Sequence, residues 1–387
     1  MKKICYVTTI SATVQSFLVQ PIKYLLENTD WEITVICNND FQIREWLPEE
    51  VQYIPVSMKR GISLGGVGAT LKMAKVFRKE KFDIVQYSTP NAALYASIAS
   101  KLTGMKIRKY HLMGFRYLGF SGMRQWLFKT IEKTVCKLST DIECVSHSNL
   151  ELGCKAGIFP KEKASVLLYG SSAGVDLSQF DISQKAWWRK ELREEYGYSD
   201  DDCVFGYMGR ITKDKGLNEL FSAFLQLEDT GAKLFIAGAE DANSGMDHNI
   251  MVAVKNSDNV TFRGYVNDIQ RYFAMLDVLV MPSYREGFGN IVIEAQAMGI
   301  PVIVSDIPGP TDAMVSGKTG LTIPVKDTDA LRQAMEKMKS DAVLRVEMGA
   351  QGRCFVEERF DQKKLCEAIL QDRKKMLGEH IKPNLVN

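Results

Sequence analysis

The stretch 278-VLVMPSYREGFGNIVIEAQAMGIPVIVSD-306 contains a complete succession of strand, turn, helix and strand. The apolar run at its start is typical of a strand, and the glycine-containing segment YREGFG after it is typical of a turn. Helical spacing follows over 290–299 and ends with Gly299 and Pro301, residue types that commonly terminate helices. The closing run PVIVSD is a second predicted strand. Two strands joined by a helix predict a parallel pair in a βαβ unit.

The same rhythm runs through the chain and is interrupted once. Apolar runs rich in β-branched residues predict strands at 3–9, 31–37, 51–56, 82–88, 107–112, 141–146, 164–170, 203–209, 232–238, 259–265, 278–283, 301–306 and 320–324. The polar segment 176–200 has no strand pattern and separates the first seven runs from the last six. We therefore predict an α/β fold of two Rossmann-like, doubly wound domains, at 1–180 and 181–360, with a helix over 361–387 packing back on the first.

Composition excludes several classes of protein. The 387 residues are 45% hydrophobic and 25% charged, which is ordinary globular usage. No run approaches the roughly 18 consecutive apolar residues that a membrane span needs, and the start, MKKICYVTTI, resembles a strand more than a cleavable signal peptide. Eight cysteines without a CxxC pair favour reduced core residues over disulfides or a zinc site. We expect a cytoplasmic location, with attachment to a membrane surface left open.

The basic charge is concentrated in the first half. Residues 1–170 carry 23 Lys and Arg against 14 Asp and Glu, and the remaining 217 residues carry 26 against 33. The stretch 101–137 alone has nine basic residues and one acid, interleaved with aromatic side chains. It is either a surface for anionic lipid and acceptor or a core-packed helix with solvated lysines. The candidates for that surface are Lys106, Arg108, Lys109, Arg116, Arg124, Trp126 and Lys129. No nucleic-acid-binding motif accompanies this charge.

Two cations follow the first strand of the second domain. Arg210 and Lys215 lie in 209-GRITKDKG-216, between that strand and a helix. Ligands of parallel sheets bind at the carboxyl ends of strands, where fixed cations can neutralise a diphosphate. In the opening stretch Asn290 is the expected N-cap of a helix whose free N–H groups and dipole could also hold an anion. These patterns predict a phosphate site built from cations and backbone, without a metal.

Two acids flank the start of that helix. Glu286 precedes the helix, whereas Glu294 lies about one turn inside it, on an otherwise apolar segment. A buried acid without a partner is costly, so Glu294 needs a cation or hydroxyl groups nearby. The residues alone leave two interpretations open for Glu294: a structural salt bridge or a ligand contact.

Together, Arg210 and Lys215, the E-x7-E of Glu286 and Glu294, and the stretch GIPVIVSDIPGPTDAMVSGKTGLTIPVKD resemble glycosyltransferase family 4. These are retaining sugar-nucleotide transferases of GT-B fold, with a cleft between two domains. The resemblance implies that Arg210 and Lys215 bind the donor diphosphate, Glu286 the donor sugar and Glu294 the ribose. It also implies donor contacts from the backbone of Val266, beside the base, and from Phe288, Gly289, Asn290 and Ile291 around the sugar and phosphate.

The first half resembles the family more loosely. His111, in RKYHLMG, stands where many members carry a histidine, so the resemblance assigns His111 and Glu286 to the catalytic centre. A lone histidine after a strand is otherwise more often structural, and both interpretations stay open. The first loop, TTISATVQS, lacks the glycines that many relatives have there, which leaves the acceptor contacts undefined.

We expect a retaining, metal-independent transfer of a sugar, of N-acetylhexosamine type, from a UDP-sugar to a glycan. The predicted acceptor is linked to polyprenyl diphosphate, as in capsule or surface polysaccharide assembly, and the predicted location is peripheral, at the inner face of the cell membrane. Two alternatives remain at this point: a UDP-sugar 2-epimerase of the same architecture and a non-catalytic sugar-nucleotide-binding protein.

Overall fold

The computed structural model describes residues 1–40, 42–58, 65–227, 231–241 and 244–379. Its strands are β1 Lys3–Val7, β2 Glu32–Cys37, β3 Gln52–Pro55, β4 Ile84–Ser88, β5 Ile107–Leu112, β6 Asp141–Cys144, β7 Ala164–Ser165, β8 Cys203–Met208, β9 Ala232–Ala237, β10 Val260–Gly264, β11 Val278–Met281, β12 Val302–Ser305 and β13 Gly320–Ile323. Its helices are α1 Ser11–Phe17, α2 Val19–Asn28, α3 Ile43–Trp46, α4 Gly65–Glu80, α5 Pro90–Leu102, α6 Gly122–Leu138, α7 His147–Lys155, α8 Lys185–Tyr196, α9 Leu217–Leu225, α10 His248–Lys255, α11 Ile269–Met275, α12 Asn290–Ala297, α13 Thr328–Ser340, α14 Ala342–Arg359 and α15 Gln362–Leu377.

The chain forms two compact units. The first consists of residues 1–173 together with the chain from Gln362 onward, and the second of residues 174–361. Helix α15 thus belongs to the first unit, although it follows the last helix of the second. Of the helix predicted over 361–387, residues 380–387 lie outside the described residues.

The first unit is built on a parallel sheet of seven strands in the order β3-β2-β1-β4-β5-β6-β7. Side chains of a strand alternate between the two faces of a sheet. Cys5 and Val7 of β1 accordingly pack with helices α4, α5 and α6, whereas Ile4 and Tyr6 pack on the other side with α2, α3 and α15. Because strand order reverses direction at β1 and β4, the switch point of this sheet lies between them.

The second unit contains a parallel sheet of six strands in the order β10-β9-β8-β11-β12-β13. One face of this sheet packs against α9, α10 and α13. The residues of β8 in that core are Cys203, Phe205 and Tyr207. The switch point lies between β8 and β11, so the loops after these two strands emerge side by side at the carboxyl edge.

The prediction of two parallel α/β sheets is confirmed, and each predicted strand has a counterpart. The run 164–170 is shortened to the two residues of β7, since the chain turns at Leu168, where φ is +50°. No helix among the described residues is both long and apolar enough to cross a bilayer.

Candidate functional site

Two loops meet at the switch point of the second sheet. The loop after β8, residues 209–216, carries Lys215, and the loop after β11, residues 282–289, carries Glu286. The Lys215 ammonium donates to Glu286 Oε1 at 2.6 Å, and both side chains are about four-fifths buried. Two of the residues singled out in the sequence, some seventy positions apart, therefore form one ion pair at the carboxyl edge.

Glycine permits the close approach of these loops. Gly216 has φ of +73°, and a Cβ on it would lie 2.0 Å from the carbonyl oxygen of Pro282. Any side chain there would push the two loops apart, because that distance is far below van der Waals contact. The chain therefore needs glycine immediately after Lys215.

Arg210 lies at the start of the first loop and is largely exposed. Its Nη1 is 3.8 Å from Oδ2 of Asp241, which follows β9, the neighbouring strand. At this distance and exposure the ion pair is weak. The guanidinium therefore keeps most of its capacity to bind an anion at this edge.

Helix α12 begins beside these loops, but its cap differs from the prediction. The N-cap is Gly289, with φ of +89°, and Asn290 is the first helical residue, so the expectation of an Asn290 side-chain cap is wrong. Two cations lie at the other end of α12: Arg353 donates to the carbonyl oxygen of Ala297, the last helical residue, and Lys185 to that of Gly299 at 3.1 Å. The Arg353 contact satisfies a terminal carbonyl of α12, and the positive end of the helix dipole lies at the site.

Phe288 and Ile291 flank the helix start. The Phe288 ring is buried and packs on Phe360, with the ring centroids 5.4 Å apart. Only the backbone of Phe288 is thus available to a ligand, whereas Ile291 is partly exposed. Val266 lies just after β10, at the same edge of the sheet. From β10 to β11 the edge spans three strand spacings, roughly 14 Å.

Glu294 lies one turn into α12, next to the buried residues Ile293 and Ala295. Its carboxyl group makes no hydrogen bond or ion pair with the parts of the chain that the structure describes. Burial without a compensating partner raises the pKa of Glu294 to about 7. The described residues therefore give Glu294 no structural salt bridge, and its contact with a ligand stays a prediction.

His111 lies in the first unit, so the two residues predicted as catalytic belong to different units. It is buried on β5, opposite Glu143 of β6, and its Nε2 is 3.7 Å from Glu143 Oε1. Burial lowers the pKa of His111, against the raising effect of Glu143. It also lines a small cavity of about 20 Å³ within the first unit. These surroundings favour the structural interpretation of His111, and a catalytic role stays a prediction.

Glu143 is the centre of a buried group of ion pairs. Glu143 Oε2 lies 3.1 Å from the Lys109 ammonium and accepts a hydrogen bond from Arg373 of α15 at 3.0 Å. Lys109 also reaches Asp372 at 3.0 Å. The prediction of Lys109 as a membrane or acceptor residue is therefore wrong: the side chain is buried, and its charge is needed inside the unit.

The other predicted surface residues divide into two groups. The partly exposed Arg108 guanidinium donates to the carbonyl oxygens of Leu138 and Met105 at 2.7 and 2.6 Å, and its role as a surface contact stays a prediction. Arg116 lies 4.5 Å from the centre of the Phe128 ring. The remaining members are at least partly exposed: Lys106, Arg124, Trp126 and Lys129.

Sequence reasoning missed Asp214 and Arg285, which form a second ion pair between the same loops at 3.0 Å. The chain did carry an indication of it. Each loop places an acid and a base side by side, Asp214 before Lys215 and Arg285 before Glu286. Two such dipeptides on loops that share a sheet edge can pair crosswise.

Comparison with known proteins gives the family. Residues 189–355 match the model of glycosyl transferases group 1, and residues 3–146 match that of glycosyl transferase 4-like domains. The capsular polysaccharide biosynthesis glycosyltransferase CapM of Staphylococcus aureus is 31% identical, over 95% of this chain and 96% of that protein. The chain belongs to the group 1 glycosyltransferases. The enzyme is thus a transferase, and the resemblance to family 4 is confirmed.

A second sequence relative and a solved structure of similar fold were also found for this glycosyltransferase. The UDP-Gal:alpha-D-GlcNAc-diphosphoundecaprenol alpha-1,3-galactosyltransferase of Escherichia coli is 26% identical, over 83% of this chain and 84% of that protein. The crystal structure of Anabaena Alr3699/HepE in complex with UDP has a TM-score of 0.78 at 18% identity, covering 97% of this chain and all of that chain. This likeness supports the GT-B fold of two α/β domains.

Proposed function

We propose that this glycosyltransferase transfers a sugar, of N-acetylhexosamine type, from a UDP-sugar to a glycan acceptor. The observation that carries the proposal is the meeting of Lys215, Glu286 and the start of α12 at the switch point of the second sheet. Along the same edge, Val266, Arg210 and Glu294 offer contacts for the base, the diphosphate and the ribose. An extended ligand with those parts would occupy the roughly 14 Å between β10 and β11.

The leaving group explains the choice of residues. When the bond between C1 of the sugar and the diphosphate breaks, the electron pair goes to the phosphate oxygen, and negative charge builds up there. Lys215, Arg210 and the N-terminus of α12 would stabilise that charge from fixed positions, and we propose that they do so without a metal. The acceptor hydroxyl forms the new bond to C1 on the same face, and its proton passes to the departing phosphate. This front-face route retains the anomeric configuration.

The two acids would bind different parts of the donor. Glu286 would accept hydrogen bonds from hydroxyl groups of the sugar while its charge orients Lys215. Glu294, which has no protein partner among the described residues, would accept hydrogen bonds from the ribose. A hydroxyl pair is a suitable partner for a buried carboxylate, because hydrogen bonds to a charged group are about twice as strong as neutral ones. Neither acid is placed to act as a nucleophile in this scheme.

Relatives support the acceptor class. CapM is a capsular polysaccharide enzyme, and the name of the Escherichia coli relative describes a diphosphoundecaprenol-linked sugar as its acceptor. We propose a polyprenyl-diphosphate-linked glycan as acceptor here, in capsule or surface polysaccharide assembly.

Transfer can be tested with radiolabelled UDP-sugars, including UDP-N-acetylglucosamine, and a synthetic polyprenyl-diphosphate-linked acceptor, in the presence of EDTA. We expect label in the lipid-linked product and, by NMR, the same anomeric configuration as in the donor. Conversion of the UDP-sugar without acceptor would identify an epimerase instead. UDP binding without turnover would identify a binding protein, whereas loss of turnover with retained UDP binding in Glu286→Ala excludes that alternative.

A lipid-linked acceptor implies work at a membrane surface, and one layer of the first unit is suited to it. Helices α4, α5 and α6 cover one face of the sheet, α4 packing on α5 and α5 on α6. The charged residues that are exposed on these helices are all basic: Lys72, Lys75, Arg78, Lys79, Lys101, Arg124, Lys133 and Lys137. The same helices expose large apolar side chains, among them Leu71 at 65%, Met123 at 85% and Trp126 at 67%. We propose that this face lies against anionic lipid, with the cell membrane's inner leaflet as its partner.

Co-sedimentation with vesicles of phosphatidylglycerol and phosphatidylcholine tests this face. We expect binding that is lost in 0.5 M NaCl and weakened about 30-fold by the double variant Arg124→Gln, Lys133→Gln, since each surface cation contributes about 1 kcal/mol. The matched control is Lys23→Gln, Lys375→Gln, two exposed cations on α2 and α15, the opposite layer. Equal effects of the two pairs, or binding insensitive to salt, would contradict the proposal.

A further inference from the structure

Two ion pairs join the donor-site loops crosswise. Asp214 and Lys215 are adjacent on the loop after β8, and Arg285 and Glu286 are adjacent on the loop after β11. Lys215 pairs with Glu286 at 2.6 Å, and Arg285 pairs with Asp214 at 3.0 Å. The loop after β8 therefore supplies the acid of one ion pair and the base of the other, and the loop after β11 supplies their partners.

Two further hydrogen bonds hold Asp214, one to the backbone of the other loop and one to a side chain of its own loop. The amide of Tyr284 donates to the carbonyl oxygen of Asp214 at 3.0 Å, and the Thr212 hydroxyl donates to Asp214 Oδ1 at 2.6 Å. Although burial acts to raise it, the pKa of Asp214 is lowered by the Thr212 hydrogen bond and by the charge of Arg285. The Asp214 carboxylate is therefore fixed in position and ionised at neutral pH.

Only one of the two ion pairs is assigned contacts with the donor. In the proposed function Lys215 contacts the diphosphate and Glu286 the sugar, so their mutual hydrogen bond has to be shared with the ligand. Asp214 and Arg285 have no such assignment, and their pair can persist while the other adjusts. Without Asp214, the Arg285 guanidinium would lie next to the Glu286 carboxylate with no partner of its own. Since arginine binds carboxylates bidentately, it would compete with Lys215 for Glu286.

We propose that Asp214 and Arg285 are positioning residues that keep the two loops paired, so that Lys215 and Glu286 reach the donor together. This inference rests on the proposed function and names the residues that set the geometry of its site. The pair acts through Lys215 and need not touch the donor.

The sign of the Asp214→Asn effect, compared with that of Arg285→Met, distinguishes positioning from a simple field effect. Asp214→Asn removes a negative charge near the diphosphate, and Arg285→Met removes a positive one. If the charges acted only through the field, Asp214→Asn would tighten UDP binding and Arg285→Met would weaken it. Positioning predicts that both weaken it, each about 10-fold, because a small displacement of Lys215 is enough for such a loss.

Isothermal titration of the full chain with UDP measures these affinities. We expect Asp214→Asn to have less than about a twofold effect in a Lys215→Met background, since the residue through which it acts is then gone. The control is Glu191→Gln with Arg271→Met, which breaks an ion pair of similar length and exposure on α8 and α11 and should leave UDP affinity unchanged. Arg285→Lys, which keeps the charge, should recover most of the affinity lost in Arg285→Met.

Tighter UDP binding by Asp214→Asn, or an undiminished loss in the Lys215→Met background, would overturn the assignment while leaving the proposed function intact. Failure of the unaltered protein to bind UDP would overturn the proposed function, and this inference with it. Thermal melting of each variant verifies that it is folded, and a partly exposed ion pair of this kind should contribute little to stability.

Discussion

Glu294→Gln should stabilise the protein at alkaline pH and weaken nucleotide binding. The side chain is only partly exposed and has no partner among the described residues, and this desolvation raises the pKa of Glu294 to about 7 from the ordinary 4.5. The folded state therefore holds a proton on Glu294 more tightly than the unfolded state does. As pH rises from 4.5 to 7, this group makes the free energy of unfolding fall, and above pH 7 the loss is complete.

The magnitude follows from the size of the pKa change. A rise from 4.5 to about 7 corresponds to about 3 kcal/mol at pH 8. Because the side chain is partly exposed, we expect about 2 kcal/mol in the measured free energy of unfolding. Glutamine has the same shape and no charge, so the variant should gain this amount at pH 8 and almost nothing at pH 4.5. In the proposed site it should also lose the charged acceptor for the ribose, which weakens UDP binding by about 10-fold or more.

Urea unfolding at pH 5 and pH 8, followed by circular dichroism, measures the first effect, and titration calorimetry with UDP the second. Glu132→Gln is the matched control, because Glu132 is also a buried acid with a pKa of about 7, but it lies in the first unit and accepts a hydrogen bond from Tyr110 at 2.7 Å. The control should leave UDP affinity unchanged. A Glu294→Gln variant that is no more stable than the parent at pH 8, or that binds UDP equally well, would refute the reasoning.

Two further predictions concern the ion network of the first unit. Burial lowers the pKa of His111 below 6.5, so on acidification the unfolded state binds this proton before the folded state does, and the free energy of unfolding should fall as pH drops below about 6.5. His111→Gln should flatten that part of the stability profile in urea titrations between pH 5 and 7. An unchanged profile would contradict this prediction. Arg373→Met should lower the free energy of unfolding by about 3 to 5 kcal/mol in chemical unfolding, since it leaves Glu143 buried with one partner fewer. A loss below about 1 kcal/mol would contradict this prediction and would mean that Lys109 alone compensates the charge of Glu143.

Much of the fold could be predicted from the sequence, because buried parallel strands leave a simple pattern. Runs such as KICYVTT and EITVIC are apolar on both faces, and helical spacing between them fixes the βαβ connection. The length of β7 could not be predicted in this way, since Val166 and Leu167 are as apolar as true strand residues. Their exclusion depends on the turn at Leu168, which is a tertiary effect.

The site was predictable in part. Position after a strand places Arg210, Lys215 and Glu286 at one edge of a parallel sheet, and the structure brings Lys215 and Glu286 into contact. Charge alone could not separate exposed from buried cations. Lys109 and Lys106 look alike in the sequence, but alternation along β5 and the acids of β6 and α15 draw Lys109 inward. Only the fold brings residue 372 next to residue 109.

The central claim, that the loops at the switch point of the second sheet hold a nucleoside diphosphate through Lys215, is tested most directly by comparing UDP with UMP. Titration calorimetry of the unaltered protein and of Lys215→Met with both nucleotides, in EDTA, isolates the contact to the second phosphate. We expect the unaltered protein to bind UDP at least about 10-fold more tightly than UMP, and this difference to shrink to about twofold in Lys215→Met. An equal preference for UDP in both proteins, or no binding of UDP by the unaltered protein, would contradict the account.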